Sequence, residues 1–275
     1  MGTRKKRGRS RAVTARPPRS SAAVSRDSGF PLWKVPIPRS DPAFFLDFDG
    51  TLLDIADRPH EVRIDAGLVT LLQSLRDAAG GALALISGRS LEDVDGLFAS
   101  SAFCVAGQHG AERRDAAGKL HRHRAPRARL RGVGQRLRRI AAKYPALELE
   151  DKGMNFALHY RLAPRLGPML RKTMRELVKE LGSHFELQTG KMVLEIKPTG
   201  VDKGSAILEF MREAPFRGRT PVFIGDDRTD EHGFRVVNRL RGHSIKVGRG
   251  RSEAHWRLPD AASVRAWLAR FVKTA

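Results

Sequence analysis

Apolar residues along this chain fall into short unbroken runs, separated by stretches in which they recur at helical spacing. Phe44 to Leu46, Ala82 to Ile86, Ala102 to Ala106 and Pro221 to Ile224 are continuous runs. Runs of that length suit strands buried on both faces, as in a parallel sheet. Between the first two, Leu68, Leu71, Leu72 and Leu75 share one helical face over Asp65 to Ala79, and Gly80-Gly81 ends the pattern. Ser90, with Asp93 three residues on, caps a further short helix. Strand alternating with helix predicts an α/β core: a doubly wound, Rossmann-like parallel sheet with right-handed crossovers.

Near residue 121 the pattern changes. Pro126 to Lys143 reads as a basic helix with Leu130, Val133, Leu137 and Ile140 on one face, followed by strand-like Leu147 to Glu150 and Asn155 to Leu162. A second amphipathic helix carries Leu166, Leu170, Met174, Leu177 and Leu181. Phe185 to Leu187 and Met192 to Ile196 then flank a Gly190-Lys191 turn, as in a hairpin. This middle third predicts an inserted α/β cap with an antiparallel sheet. The parallel pattern resumes with a helix opening at Lys203-Gly204, strands at 221–224 and Ser244 to Val247, and a last helix ending near Lys273. The expected division is a tail over 1–40, a core over 41–120 and 199–275, and a cap over 121–198, with hinges near Gly118 to His121 and Pro198 to Val201.

Composition changes the picture at one end. The net charge is +21, and residues 1–40 hold 11 Lys and Arg against Asp27 alone, with prolines at 17, 18, 31, 36 and 38. Such a segment has little apolar surface to offset its ordering entropy, so a disordered tail is expected. Its charge could touch nucleic acid, but only as non-specific contact by that tail. No run approaches the eighteen or so apolar residues of a membrane span, and no apolar signal core precedes the first strand. The single Cys104 sits inside an apolar run and reads as a small buried hydrophobe. A cytoplasmic monomer, with no membrane partner, is the expectation.

Three of the predicted parallel strands end in polar groups. Asp47 and Asp49 follow the first, Ser87 the second, and Asp226, Asp227 and Asp230 the strand at 221–224. In an open parallel sheet those ends lie along one edge, where ligands bind. Several carboxylates without paired Cys or His suit a hard, oxygen-loving cation, and beside a phosphate Mg²⁺ is the usual one. Lys203 is placed to offset the packed carboxylates and neutralise a transferring group.

The strings DFDGTL at 47–52, SGR at 87–89, Lys203 followed by Gly204, and GDDRTDE at 225–231 resemble, in that order, the four motifs of the haloacid dehalogenase-like superfamily. ISGRS at 86–90, GQHGAE at 107–112, EDKGMNFALHYR at 150–161, GKMVLEIKP at 190–198 and VGRGRSEAHWRL at 247–258 are similar to the trehalose-6-phosphate phosphatase family. The resemblance implies Mg²⁺-dependent hydrolysis of trehalose 6-phosphate through an aspartyl-phosphate, with sucrose phosphate or mannosyl-phosphoglycerate as rival substrates. By it, Asp47 is the nucleophile and Asp49 the general acid and base. Asp47, Asp226 and the backbone carbonyl of Asp49 hold the metal, with Asp227 and Asp230 orienting groups around it. Ser87 donates to a phosphoryl oxygen and Lys203 neutralises it. The same resemblance places Asp47, Phe48, Asp49, Ser87, Gly88, Arg89 and His109 against substrate from the core. On the cap it gives Lys152, His159, Arg161, Lys191 and Glu195 as sugar-facing groups. Lys191 and Glu195 share a strand face only if the strand is regular between them.

Overall fold

In this computed structural model, residues 1–2, 35–38, 41–54, 62–98, 103–123 and 127–275 are described. Two sheets organise them. The larger has eight strands in the order β12-β11-β10-β1-β2-β3-β4-β5. Its centre is β1 (Pro42–Leu46), which pairs in parallel with β10 (Thr220–Gly225) and β2 (Leu83–Ile86). β3 (Cys104–Gly107), β11 (His243–Val247) and β12 (Trp256–Leu258) extend the parallel register on either side.

Alternation along β1 explains why both faces are covered. Phe44 and Leu46 join a cluster with Leu68, Leu72 and Leu75 of α1 (Ala66–Ala78), Val94 of α2 (Leu91–Phe98), and Trp267 and Phe271 of α7 (Ala261–Thr274). Ala43 and Phe45 point the other way, into Ile207 and Phe210 of α5 (Lys203–Phe210) and Phe234 and Val237 of α6 (Glu231–Arg239). All five strand positions are buried, so burying each large side chain there contributes about 1.5–3 kcal/mol. A one-residue slip would put each set of side chains into the layer shaped for the other.

The structure adds three details to the sequence expectations. The large sheet is not wholly parallel: β4 (Glu112–Arg114) and β5 (Leu120–Arg122) add an antiparallel edge. The ERR strand has no apolar residue, yet it is buried because its charges are answered from distant parts of the chain. Arg113 forks onto Glu213 at 2.8 Å, Arg114 onto Asp95 at 2.7 Å, and Glu112 accepts from Leu91 N at 2.9 Å. Because β5 pairs with β4, the stretch 118–121 is tied to the core sheet and is not a free hinge. Third, residues 35–38 of the expected tail are ordered by packing. Val35 is buried and its carbonyl accepts from the Trp267 indole N–H at 3.1 Å. Residues 3–34 and 39–40 lie outside the described residues.

The smaller sheet is antiparallel, in the order β6-β7-β9-β8: β6 (Glu148–Asp151), β7 (Phe156–His159), β9 (Val193–Pro198) and β8 (Phe185–Thr189). One face, with Leu149, Leu158, Leu194 and Ile196, packs on α3 (Arg127–Lys143) and α4 (Gly167–Leu181). Register puts Glu150 opposite Ala157 and Ala157 opposite Glu195, so those residues and His159 share the other face, toward the large sheet. The inserted cap expected from sequence is therefore present.

Candidate active site

A cavity of about 200 Å³ lies between the two sheets, over the carboxyl ends of β1, β2 and β10. Those strands are apolar to their last residue, and the chain turns polar where it leaves the sheet. Asp47 follows β1, Ser87 follows β2, and Asp226 follows β10. Lys203 arrives separately, as the first residue of α5. Its helix start is fixed by Asp202, which accepts from Ser205 N at 2.8 Å while Ser205 Oγ is 3.0 Å from Asp202 N.

Lys203 Nζ donates to Asp47 Oδ1 at 2.5 Å and to Asp230 Oδ1 at 2.7 Å, and all three groups are buried. Burial alone would lower the Lys203 pKa; Asp230 and Asp47 outweigh it and raise it, keeping the ammonium charged. Asp47 is pushed well up, first by burial and then by repulsion from Asp230, against the pull of Lys203. Asp226 is raised to about 6 for the same two reasons, burial and then Asp230. Thr51 Oγ1 is 3.2 Å from the second oxygen of Asp47.

Asp47, Asp226 and Asp230 offer carboxylate oxygens within 4.8 Å of one another. One ammonium answers three carboxylates, so the cluster is deficient in positive charge, and its all-oxygen donor set fits a hard divalent cation. Gly50 makes room for it: at φ +82, a Cβ there would fall 2.4 Å from Asp226 Oδ2. The Asp49 side chain is engaged elsewhere. Both its oxygens are taken by the Arg89 guanidinium, at 2.7 and 2.8 Å.

Asp230, expected as an outer orienting group, sits inside the cluster at 0% exposure, its second oxygen accepting from Asp227 N at 2.8 Å. Asp227 lines the cavity beside it. Ser87 is buried, with Oγ accepting from Arg89 N at 3.1 Å, and its hydroxyl hydrogen remains available. The Phe48 side chain turns away into the core against Phe98, so only its backbone can face a ligand. Gly88 lies against the His109 ring, where a Cβ would come within 2.8 Å of it.

From the cap side, Glu150, Lys152, His159, Arg161, Lys191 and Glu195 line the same cavity. Lys191 and Glu195 do so without a regular strand between them: β9 begins at Val193 and Met192 is left-handed, at φ 61. Two contacts cross between the sheets' polar faces. His109 Nε2 lies 2.8 Å from Glu195 Oε2, and Lys152 Nζ donates to Gly88 O at 2.6 Å. Burial would raise the Glu195 pKa, but His109 and Lys152 hold it well below the usual carboxylate range, while burial lowers His109. Gln108 and His109 are both left-handed, at φ 50 and 58, and such backbone strain clusters at functional sites.

Sequence reasoning missed Asn155, which is fully buried and donates to Glu195, and Lys246, which donates to the carbonyl oxygen of Asp226. A lone lysine inside the apolar strand at 243–247 was the available signal for the second. Cys104 is buried and burial pushes its thiol up to about 11, so it is inert toward this chemistry.

The family model described as Trehalose-phosphatase matches residues 45–261. The chain is 49% identical over 238 residues to trehalose-6-phosphate phosphatase of Escherichia coli, covering 86% of this chain and 89% of that protein. It is 43% identical over 229 residues to a probable trehalose-phosphate phosphatase of Sinorhizobium fredii, covering 82% and 86%. Among solved structures it resembles a trehalose-6-phosphate phosphatase related protein, with TM-score 0.71, 29% identity, and coverage of 84% and 97%. The fold also matches the C-terminal domain of the C. albicans trehalose-6-phosphate phosphatase, with TM-score 0.78 and 19% identity over 86% of this chain and 94% of that one.

Proposed function

We propose that this chain, which belongs to the trehalose-phosphatase family, hydrolyses trehalose 6-phosphate to trehalose and phosphate with Mg²⁺ as cofactor. The observation that carries the reading is the meeting of Asp47, Asp226, Asp230 and Lys203 beneath a polar cap face. Asp47, Asp226 and the backbone carbonyl of Asp49 would hold the cation, which on binding supplies positive charge to the transferring phosphoryl oxygens.

Asp47 is the nucleophile. Lys203 fixes one of its oxygens and Thr51 approaches the other, so the carboxylate is aimed before substrate arrives. Attack on phosphorus forms the aspartyl-phosphate and breaks the bond to the sugar oxygen, which takes a proton from Asp49. Water then attacks the same phosphorus, gives its proton to Asp49, and frees Asp47 and phosphate. The Arg89 fork must open for the sugar oxygen to reach Asp49, and an arriving phosphoryl group offers that guanidinium an alternative anion. Ser87 donates its free hydroxyl hydrogen to a phosphoryl oxygen, and the Phe48 and Gly88 backbones stand beside it.

Selectivity is assigned to the cap. Glu150, Lys152, Arg161, Lys191 and Glu195, with His109 from the core, present charged groups to a ligand rich in hydroxyls. A site built to hydrogen-bond hydroxyls rejects analogues that lack them. We take the cap to begin after Arg122 rather than at 121, since β5 belongs to the core sheet, and to end near Pro198. One chain completes the cavity, which supports a monomer, and the single buried thiol suits the cytoplasm. Phosphate release from trehalose 6-phosphate, sucrose 6-phosphate and mannosyl-3-phosphoglycerate, each with Mg²⁺, tests the substrate. A preference for either rival would replace it; no release from any would end the phosphatase reading.

A further inference from the structure

The charge excess is not spread evenly along the chain. Residues 1–40 carry 11 Lys and Arg against one Asp, and residues 123–198 carry 17 against 7 Asp and Glu. The remaining residues are almost balanced, at 23 against 22. Half of the excess is therefore on the cap. Within the cap, the acidic side chains Glu150 and Glu195 face the cavity, whereas α3 has seven Lys and Arg and no acid.

That helix buries Leu130, Val133 and Leu137 against the cap sheet, so Arg131, Arg136, Arg138, Arg139 and Lys143 occupy the surface turned away from the active site. Some of them are structural: Arg136 pairs with Glu180 at 2.5 Å and Arg138 with Asp151 at 2.6 Å. Arg131, Arg139 and Lys143 are different. All three are exposed, and they lie on one ridge of the helix at spacings of eight and four. None has an acidic partner among the described residues. The neighbouring α4 adds exposed Lys172, Arg175 and Lys179, with exposed Glu176 among them.

We propose that this outer face of the cap, formed by α3 and α4, binds the phosphate backbone of double-stranded nucleic acid without regard to sequence. A row of unpaired cations spanning about 18 Å along a helix matches a polyanion carrying one charge per about 1.7 Å. Neither helix has an aromatic residue, and the one beside them, Tyr144, is half-buried under Lys143 Nζ, which leaves little for unpaired bases to stack on and favours a duplex over a single strand. A lipid surface is the poorer fit. The apolar face of α3 is consumed inside the cap, and Met169 of α4 is the one large exposed hydrophobic side chain on the two helices, too little to enter a bilayer. Because the face points away from the cavity, binding there leaves the reaction untouched.

The test measures anisotropy of a labelled duplex of about 20 base pairs against salt concentration, using the full chain. Replacing Arg131, Arg139 and Lys143 together by Gln should weaken binding by on the order of tenfold and reduce the salt slope by about 3. Thermal unfolding and phosphate release from trehalose 6-phosphate should be unchanged. Arg131→Lys with Arg139→Lys, which keeps the charge, should bind as the parent does. A second full-length variant, Arg4, Lys5, Lys6 and Arg7 to Gln, separates the tail from the cap. The proposal is overturned if the cap variant binds duplex as tightly as the parent, if the tail variant alone abolishes binding, or if phosphatidylserine vesicles are bound and duplex is not.

Discussion

Lys203 and Asp47, 156 positions apart in the chain, meet at 2.5 Å in the interior of the molecule. Neither can lose the other cheaply. Removing one partner of a buried pair leaves an uncompensated charge and costs about 3–5 kcal/mol. Lys203→Met should therefore lower the thermal midpoint of the protein and reduce kcat on the order of 10²–10³-fold, since it also removes a donor from the phosphoryl site. Lys203→Arg should not restore activity, because a planar fork does not fit where a point charge bridges Asp47 and Asp230. Wild-type turnover by either variant would separate this lysine from the reaction.

Asp226 gives a pH prediction with a definite sign. Its pKa is raised to about 6, by burial and then by Asp230, so the folded metal-free protein holds a proton that the unfolded chain releases near pH 4. The part of the metal-free protein's stability that Asp226 contributes should then be lost as pH rises from about 4 to about 6, while Asp47, which is also pushed up, carries the decline to higher pH. Asp226→Asn should remove the Asp226 part of that slope, stabilise the metal-free protein at neutral pH by on the order of 1–2 kcal/mol, and abolish stabilisation by added Mg²⁺. Thermal melts across pH, with and without Mg²⁺, check all three.

Gly50 is a steric test of the same cluster. A methyl group there would lie 2.4 to 2.7 Å from the Asp226 carboxylate, on backbone at φ +82 that disfavours any side chain. Gly50→Ala should weaken Mg²⁺ binding, raising the concentration that half-saturates activity at least about tenfold. A metal titration of phosphate release reads this directly.

Glu195 tests whether sugar recognition can be separated from chemistry. It is held ionised by His109 and Lys152 on the cap face of the cavity, away from the Asp47 cluster. Glu195→Gln should raise KM for trehalose 6-phosphate by about 10²-fold, through loss of charge-assisted hydrogen bonds to hydroxyls. Hydrolysis of 4-nitrophenyl phosphate, which offers no hydroxyls, should change by less than about threefold. Equal losses on both substrates would move Glu195 into the reaction itself.

The parts of the fold that sequence made legible are those whose cause is local. Phe44-Phe45-Leu46 and Val222-Phe223-Ile224 are buried on both faces, and no other element suits so short an apolar run. The acids that follow them converge because parallel strands end on one edge. What sequence concealed depends on distant partners. The strand Glu112–Arg114 has no apolar pattern, and it is buried only because Glu213 and Asp95 lie where Arg113 and Arg114 reach. Asp230 reads as an acid at a helix start, and only the arrival of Lys203 places it in the carboxylate cluster. Phe48 sits between two functional acids, yet strand alternation turns its ring into the core.

The central claim is that Asp47 attacks phosphorus in a site that Lys203, Asp226 and Asp230 assemble around it. Asp47→Asn keeps the shape and removes the nucleophilic charge. Phosphate release from trehalose 6-phosphate with Mg²⁺ should be readily measured for the parent protein and fall by at least about 10³-fold in that variant. Turnover by Asp47→Asn at the parent's rate would contradict the account.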